Sequence, residues 1–217
     1  MTGDLIRCNA LATHTIANVS ESLAERLGLP DGHRSIGLIT ADSDDVTYCA
    51  LDEATKAAAV EVVYGRSLYA GAANANTKLA GEVIGILAGP NPSEVKSGLK
   101  AAVAFLDSGV GFRSANEDDS IVYFAHTVSR TGSYLSKTAG VREGEALAYL
   151  IAPPLESMVG LDEAMKAADV RLAALFEPPS ETNFGGGLLT GTQSACKAAC
   201  EAFAQAVLGI ASTPREE

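Results

Sequence analysis

Tryptophan is absent from the 217 residues, aromatic side chains make up only 6% of them, and histidine occurs three times. A pocket walled by large rings is therefore not the expected design, and so little aromatic bulk suits helices packed closely on a sheet. Positive charge is also scarce. Sixteen Lys and Arg against 27 Asp and Glu leave a formal charge of -11, which argues against nucleic acid, because a duplex binder must replace phosphate counterions with cations. An anionic membrane is disfavoured as a partner for the same reason. No apolar run approaches the roughly 20 residues that span a bilayer, and the opening MTGDLIRCNA lacks a basic stretch followed by an apolar one. The four cysteines, Cys8, Cys49, Cys196 and Cys200, have no paired spacing of the kind found in small secreted scaffolds. A reduced, cytosolic protein is the expectation.

What the chain does have is apolar content, 47% of residues, and a second copy of much of itself. LDEATKAAAV from Leu51 and LDEAMKAADV from Leu161 agree at eight of ten positions. Upstream, His14-Thr15-Ile16 aligns with His126-Thr127-Val128, and the same offset of 112 places Leu23 on Leu135 and Gly28 on Gly140. Downstream, Gly85, Leu87 and Gly89 fall on Gly187, Leu189 and Gly191. Repeats in this order imply two similar folding units. The first copy carries eight extra residues within 65–80, opposite the shorter stretch 177–184, and surface loops absorb such insertions at little cost.

Each copy alternates strand and helix signals, so the expected class is α/β in the α+β sense. In the second copy the pattern predicts strands over 120–128, 146–152, 170–176 and 187–190, a helix opening at Leu161, and a helix from Thr192 to about Ala211 with the threonine as cap. In the first copy it predicts strands over 35–40, 60–64 and 83–88, with helices over 52–59 and 92–106. The polar, glycine-punctuated stretch 108–120 marks the boundary, which gives domains 1–113 and 114–217.

The order of elements, with the glycine-ended strand in GEVIGILAGPNPSEVKSGLKAAVAFL from Gly81, resembles the shell-forming bacterial microcompartment (BMC) domain. SIGLITADSDDVTY from Ser35, DEATKAAAVEVVYGRSLYAGAA from Asp52, SRTGSYLS from Ser129, APPLE from Ala152 and PPSETN from Pro178 extend the resemblance over essentially the whole chain. It is closest to the tandem, circularly permuted shell proteins of the ethanolamine-utilisation compartment. That resemblance implies two ferredoxin-like antiparallel sheets with helices packed on them, and a homotrimer that looks hexagonal and tiles with other shell proteins. It further implies a structural, non-catalytic role in a compartment shell within the cytoplasm.

Asp42, Asp44 and Asp45 in ADSDD could look like a hard-cation site, but no glycine and no closing glutamate complete a calcium-binding loop, and a solvated acidic loop is the plain alternative. The resemblance implies ethanolamine binding near a closed pore. Asp44, Asp45 and Glu82 are the expected receivers of the ammonium group, with Phe112, Thr182 and Asn183 completing the wall. Loops 65–77 and 178–187 are expected to surround the pore axis, with Tyr69, Gly71 and Phe184 as gating residues. No cofactor is required; cobalamin enters only as a ligand suggested by the compartment's lyase, without a motif here.

The remaining signals favour structure over chemistry. His14 and His126 occupy equivalent positions, as a role inherited from one ancestral copy predicts. Cys196 and Cys200 stand four apart on a helix, yet without a second local pair they suit a packed core better than zinc. The glycines from Gly185 and the hydroxyl-rich SRTGS lack the spacing of a phosphate-binding loop. Two rival classes are a hydrolase or lyase, which needs convergent titratable groups, and a soluble metabolite sensor, which would not form sheets.

Overall fold

The computed structural model describes residues 1–67, 82–178, 180 and 183–215. They form two compact modules. The first comprises 8–110 and 132–135; the second comprises 1–7, 111–131 and 136–217.

The first module holds β2 (Ala10–Ile16), α1 (Glu21–Leu27), β3 (Ser35–Ala41), α2 (Asp44–Ala57), β4 (Glu61–Ser67), β5 (Val83–Gly89) and α3 (Pro92–Asp107). Its strands form one antiparallel sheet in the order β2-β3-β5-β4. The second module holds β1 (Leu5–Arg7), β6 (Gly111–Ser114), β7 (Val122–Val128), β8 (Ala146–Ala152), α5 (Pro154–Ala167), β9 (Val170–Phe176), β10 (Gly185–Gly191) and α6 (Gln193–Ser212). The short helix α4 (Ser133–Ala139) opens in residues that count with the first module. The second sheet runs β1-β6-β7-β8-β10-β9. Its last four strands repeat the first sheet's order, and the eight corresponding strands are each seven residues long.

Local chemistry explains where the long helices start. Asn91 caps α3 by accepting the N–H groups of Ser93 and Glu94, both at 3.0 Å, with Pro92 opening the helix where a missing N–H costs nothing. Thr192 caps α6 through the N–H of Ala195 at 3.2 Å. The helices bury matching faces. Val95, Gly98, Leu99, Ala102 and Leu106 of α3 correspond one for one to Cys196, Ala199, Cys200, Phe203 and Val207 of α6. Between α5 and α6 a glycine is required: a Cβ on Gly160 would stand 2.6 Å from the ring of Phe203.

Several expected boundaries are corrected. Helix α2 begins at Asp44 rather than Asp52, because Ser43 stands in extended N-cap conformation and the acidic pair Asp44-Asp45 fills the first turn, where the helix dipole favours negative charge. Helix α5 begins at Pro154 rather than Leu161, again with proline at its first position. Strand β10 begins at Gly185, not Gly187. Glycine there serves close approach, since a Cβ on Gly186 would meet the carbonyl oxygen of Leu150 at 1.9 Å. Strands β1, β2 and β6 and helices α1 and α4 carry no sequence-based expectation. A cut after residue 113 runs through β6 (Gly111–Ser114), which the six-stranded sheet pairs with both β1 and β7.

Candidate functional site

The acidic residues gather at one end of the first module's sheet. Asp42 follows β3, Asp44 and Asp45 open α2, and Glu82 precedes β5, where its N–H donates to the carbonyl of Ala41 at 2.8 Å. Adjacent central strands thus deliver Asp42 and Glu82 to one place, since Ala41 pairs with Val83 and each acid lies one residue beyond that pair, and the start of α2 adds Asp44.

Their contacts differ. Asp42 is tied down by Asn9, whose backbone N–H donates at 2.7 Å and whose side-chain amide donates at 2.8 Å. Asp44 accepts the N–H of Asp45 at 2.8 Å and the hydroxyl of Ser67, which in turn lies 3.2 Å from the Tyr48 hydroxyl. Asp45 is buried. Glu82 is only part-buried, yet its carboxyl is pushed above the usual carboxylate range, first by burial and then by the charges of Asp44 and Asp42. Carboxylates crowded enough to raise the Glu82 carboxyl make a place suited to a small cation that also donates hydrogen bonds.

The α2 start also exposes what the sequence did not disclose. The Ser43 hydroxyl, one residue before Asp44, is buried and has no hydrogen-bond partner among the described residues. Ser67 and Tyr48 were likewise not expected at the cluster; once the helix begins at Asp44, Tyr48 stands one turn further along the same face.

Phe112, Asn183 and Phe184 belong to the second module. Phe112 on β6 stacks on Phe124 with ring centroids 5.4 Å apart and meets Phe184 edge-on at 6.0 Å. Phe124 continues the cluster to His126 and Tyr149, both at 5.6 Å. The expected strand over 120–128 already put Phe124 and His126 on one face by its period of two. Asn183 adopts a positive φ of 66°, and the N–H of Ser180 closes the turn onto the carbonyl of Phe184 at 2.8 Å. Tyr69, Gly71 and Thr182 lie outside the described residues. Of the expected ligand set, then, Asp44 and Glu82 come close enough for their charges to interact, while Asp45, the next residue of α2, is buried on the side of Cys49.

None of the four thiols is poised as a nucleophile. Cys8 is pushed up to about 12, chiefly by burial and then by the charge of Asp42, and Cys200 to about 11 by burial. Burial also raises Cys49 and Cys196. Among the described residues, no three His, Cys, Asp or Glu converge to hold a metal ion, and no helix is long and apolar enough to cross a membrane.

Comparison with known proteins gives a consistent result. The BMC domain model matches residues 35–115. The chain is 70% identical over 214 residues to the bacterial microcompartment shell protein EutL of Clostridium perfringens, covering 99% of each. It superposes on the crystal structure of ethanolamine utilization protein EutL from Leptotrichia buccalis with a TM-score of 0.97 and 68% identity over 100% of both chains. A trimeric bacterial microcompartment shell protein, PduB, shares the fold at 20% identity, with a TM-score of 0.77 over 94% of this chain and 90% of that one.

Proposed function

This chain belongs to the EutL family of bacterial microcompartment shell proteins, and on that footing we propose that three copies close into a pseudohexagonal tile with gated pores whose acidic cluster binds ethanolamine. Its role is structural rather than enzymatic, and its place is the shell of a microcompartment in the bacterial cytoplasm, among other shell proteins.

The observation that carries the tile is the repeated strand order in two modules of one chain. Three such chains present six similar wedges, which suit closed cyclic packing around an axis. For the ligand, Asp44 and Glu82 supply carboxylates for an ammonium group, and the Ser43 hydroxyl, without a partner among the described residues, offers a hydrogen bond to the alcohol end. A bound ammonium would relieve the repulsion that keeps Glu82 protonated beyond the usual range, so binding should strengthen as pH rises out of the acidic region. Loops 65–77 and 178–187, with Tyr69, Gly71 and Phe184, form the proposed gate. If ethanolamine binds one pore state better, it shifts that equilibrium by the difference in affinity.

The test is calorimetric titration of ethanolamine into the parent and into Asp44→Asn with Glu82→Gln, alongside sedimentation analysis and electron microscopy. The expected outcome is a trimer that forms flat arrays, with affinity lowered roughly tenfold or more in the double variant. Equal affinities would remove the ligand site and leave the tile standing; a monomer that forms no arrays would remove the tile.

A further inference from the structure

Helices α2 and α5 occupy the same place in their modules, but their outer faces differ in what covers them. On α2 the cover is segment 132–135. Its Gly132 and Leu135 donate their N–H groups to the Asp52 carboxylate at 2.7 and 2.8 Å, and Ser133 donates to the Thr55 hydroxyl at 3.1 Å. The result is a closed junction: the Asp52 side chain is 1% exposed and Leu135 is 1% exposed.

The equivalent face of α5 lies open. Asp162 stands where Asp52 does, with its side chain 59% exposed. Leu155 is 57% exposed, Met158 46% and Val159 42%. Their counterparts on α2 are Asp45, Tyr48 and Cys49, of which Asp45 and Cys49 are buried at 7% and 3% exposure. Positions 155, 158, 159 and 162 form one helical stripe, so three apolar groups and a carboxylate make a continuous socket. The matching plug is also present, with its apolar side chain exposed. The repeat places segment 20–23 where the second copy has 132–135, and Leu23 is 41% exposed where Leu135 is 1% exposed.

We propose that the α5 socket of one copy receives segment 20–23 of another, the partner's Leu23 seating as Leu135 seats on α2. Asp162 then takes main-chain N–H groups of the partner's segment as Asp52 takes those of 132–135, sharing that of the partner's Leu23, which within its own chain turns to the Ser20 carbonyl at 3.1 Å. The occupant is a second copy of this chain because the chain itself supplies both halves, and the covered face of α2 is the template for their fit. Such a head-to-tail contact is heterologous: each copy gives a plug and offers a socket, so the contact closes into a ring or continues as a filament. This names the subunit contact of the tile proposed above and rests on that reading for closure at three.

Leu23→Glu breaks the plug and leaves the socket intact; Val159→Glu does the reverse. Both positions are exposed, so each variant should keep the far-ultraviolet dichroism of the parent. By sedimentation, each alone should be a monomer at a concentration where the parent is trimeric. Mixed in equal amounts, they should form a one-to-one heterodimer and nothing larger, since only one intact plug and one intact socket remain. A trimer from either variant alone, or a mixture that stays monomeric, overturns the pairing while the parent's trimer keeps the tile. A monomeric parent overturns the tile and the pairing together.

Discussion

At the same end of each module's sheet, equivalent positions carry opposite chemistry. Asp44, Ser67 and Glu82 in the first module correspond to Pro154, Phe176 and Phe184 in the second, as the aligned starts of α2 and α5, ends of β4 and β9, and starts of β5 and β10 show. One end is therefore acidic and hydroxylated, while the other belongs to the ring cluster of Phe112, Phe124, Tyr149 and Phe184. The backbone tolerates both because strand length and order are set by the central β3-β5 and β8-β10 pairs. Side chains at the rim were free to diverge once that scaffold existed. A duplicated fold can thus reserve polar function for one copy and packing for the other.

The largest expected effect probes how far the two cores have diverged. Phe203 is fully buried against Gly160, whereas the first module has Ala102 against Ala50 at the same two places, all buried. Phe203→Ala should cost about 3–5 kcal/mol in denaturant unfolding. Gly160→Ala alone should also destabilise, because its methyl collides with the ring, yet adding it to Phe203→Ala should recover part of the loss. Simple additivity of the two changes would show that the cores are not interchangeable.

A smaller effect separates the two helical aspartates. Asp52→Ala strips a buried carboxylate from two main-chain donors and from Lys56 at 3.5 Å, and should cost about 2–4 kcal/mol. Asp162→Ala removes an exposed residue paired with Lys166, and in the monomer should stay within about 0.5 kcal/mol. Equal losses in urea titrations of monomeric protein would contradict the difference in burial.

The smallest effect is a pH dependence. Because the Glu82 carboxyl is raised in the folded protein, the folded state binds its proton more tightly than the unfolded one, so this group's contribution turns against folding as pH rises from the usual carboxylate value through the raised one. Glu82→Gln should therefore be more stable than the parent at neutral pH, by on the order of 0.5 kcal/mol given its partial solvation, and should lose that advantage in acid. Thermal melts at pH 4 and pH 7 read the sign; a variant less stable at pH 7 refutes the crowding of charge at this cluster.

Much of the fold was legible because duplication writes the same pattern twice. The aligned blocks around Leu51 and Leu161, and around Gly85 and Gly187, mark α2, α5, β5 and β10, and periodicity supplied the remaining central strands. The cysteine pair was also readable, since Cys196 and Cys200 fill the places of Val95 and Leu99. Helix starts were obscured by residues with two local meanings. Asp44-Asp45 serve a loop or a first turn equally well, and Pro154 ends one pattern while beginning another. The acidic cluster was legible in its carboxylates, but Ser43, Ser67 and Tyr48 became visible only when the fold brought together residues on separate elements. Strand β1 left no signal: three residues, Leu5 to Arg7, gain their meaning from partners over a hundred positions away.

That pairing of Leu5 with Arg113 also bears on how the chain is made. Residues 5–7 leave the ribosome before their docking place, which is synthesised only after the whole of 8–110. The four strands of the module in between can pair while β1 stays unclaimed; Gly111–Ser114 captures β1, and 132–135 completes the first module afterwards. Strand β1 is thus made before the first sheet and secured after it, and it stays unpaired until residues 111–114 are synthesised.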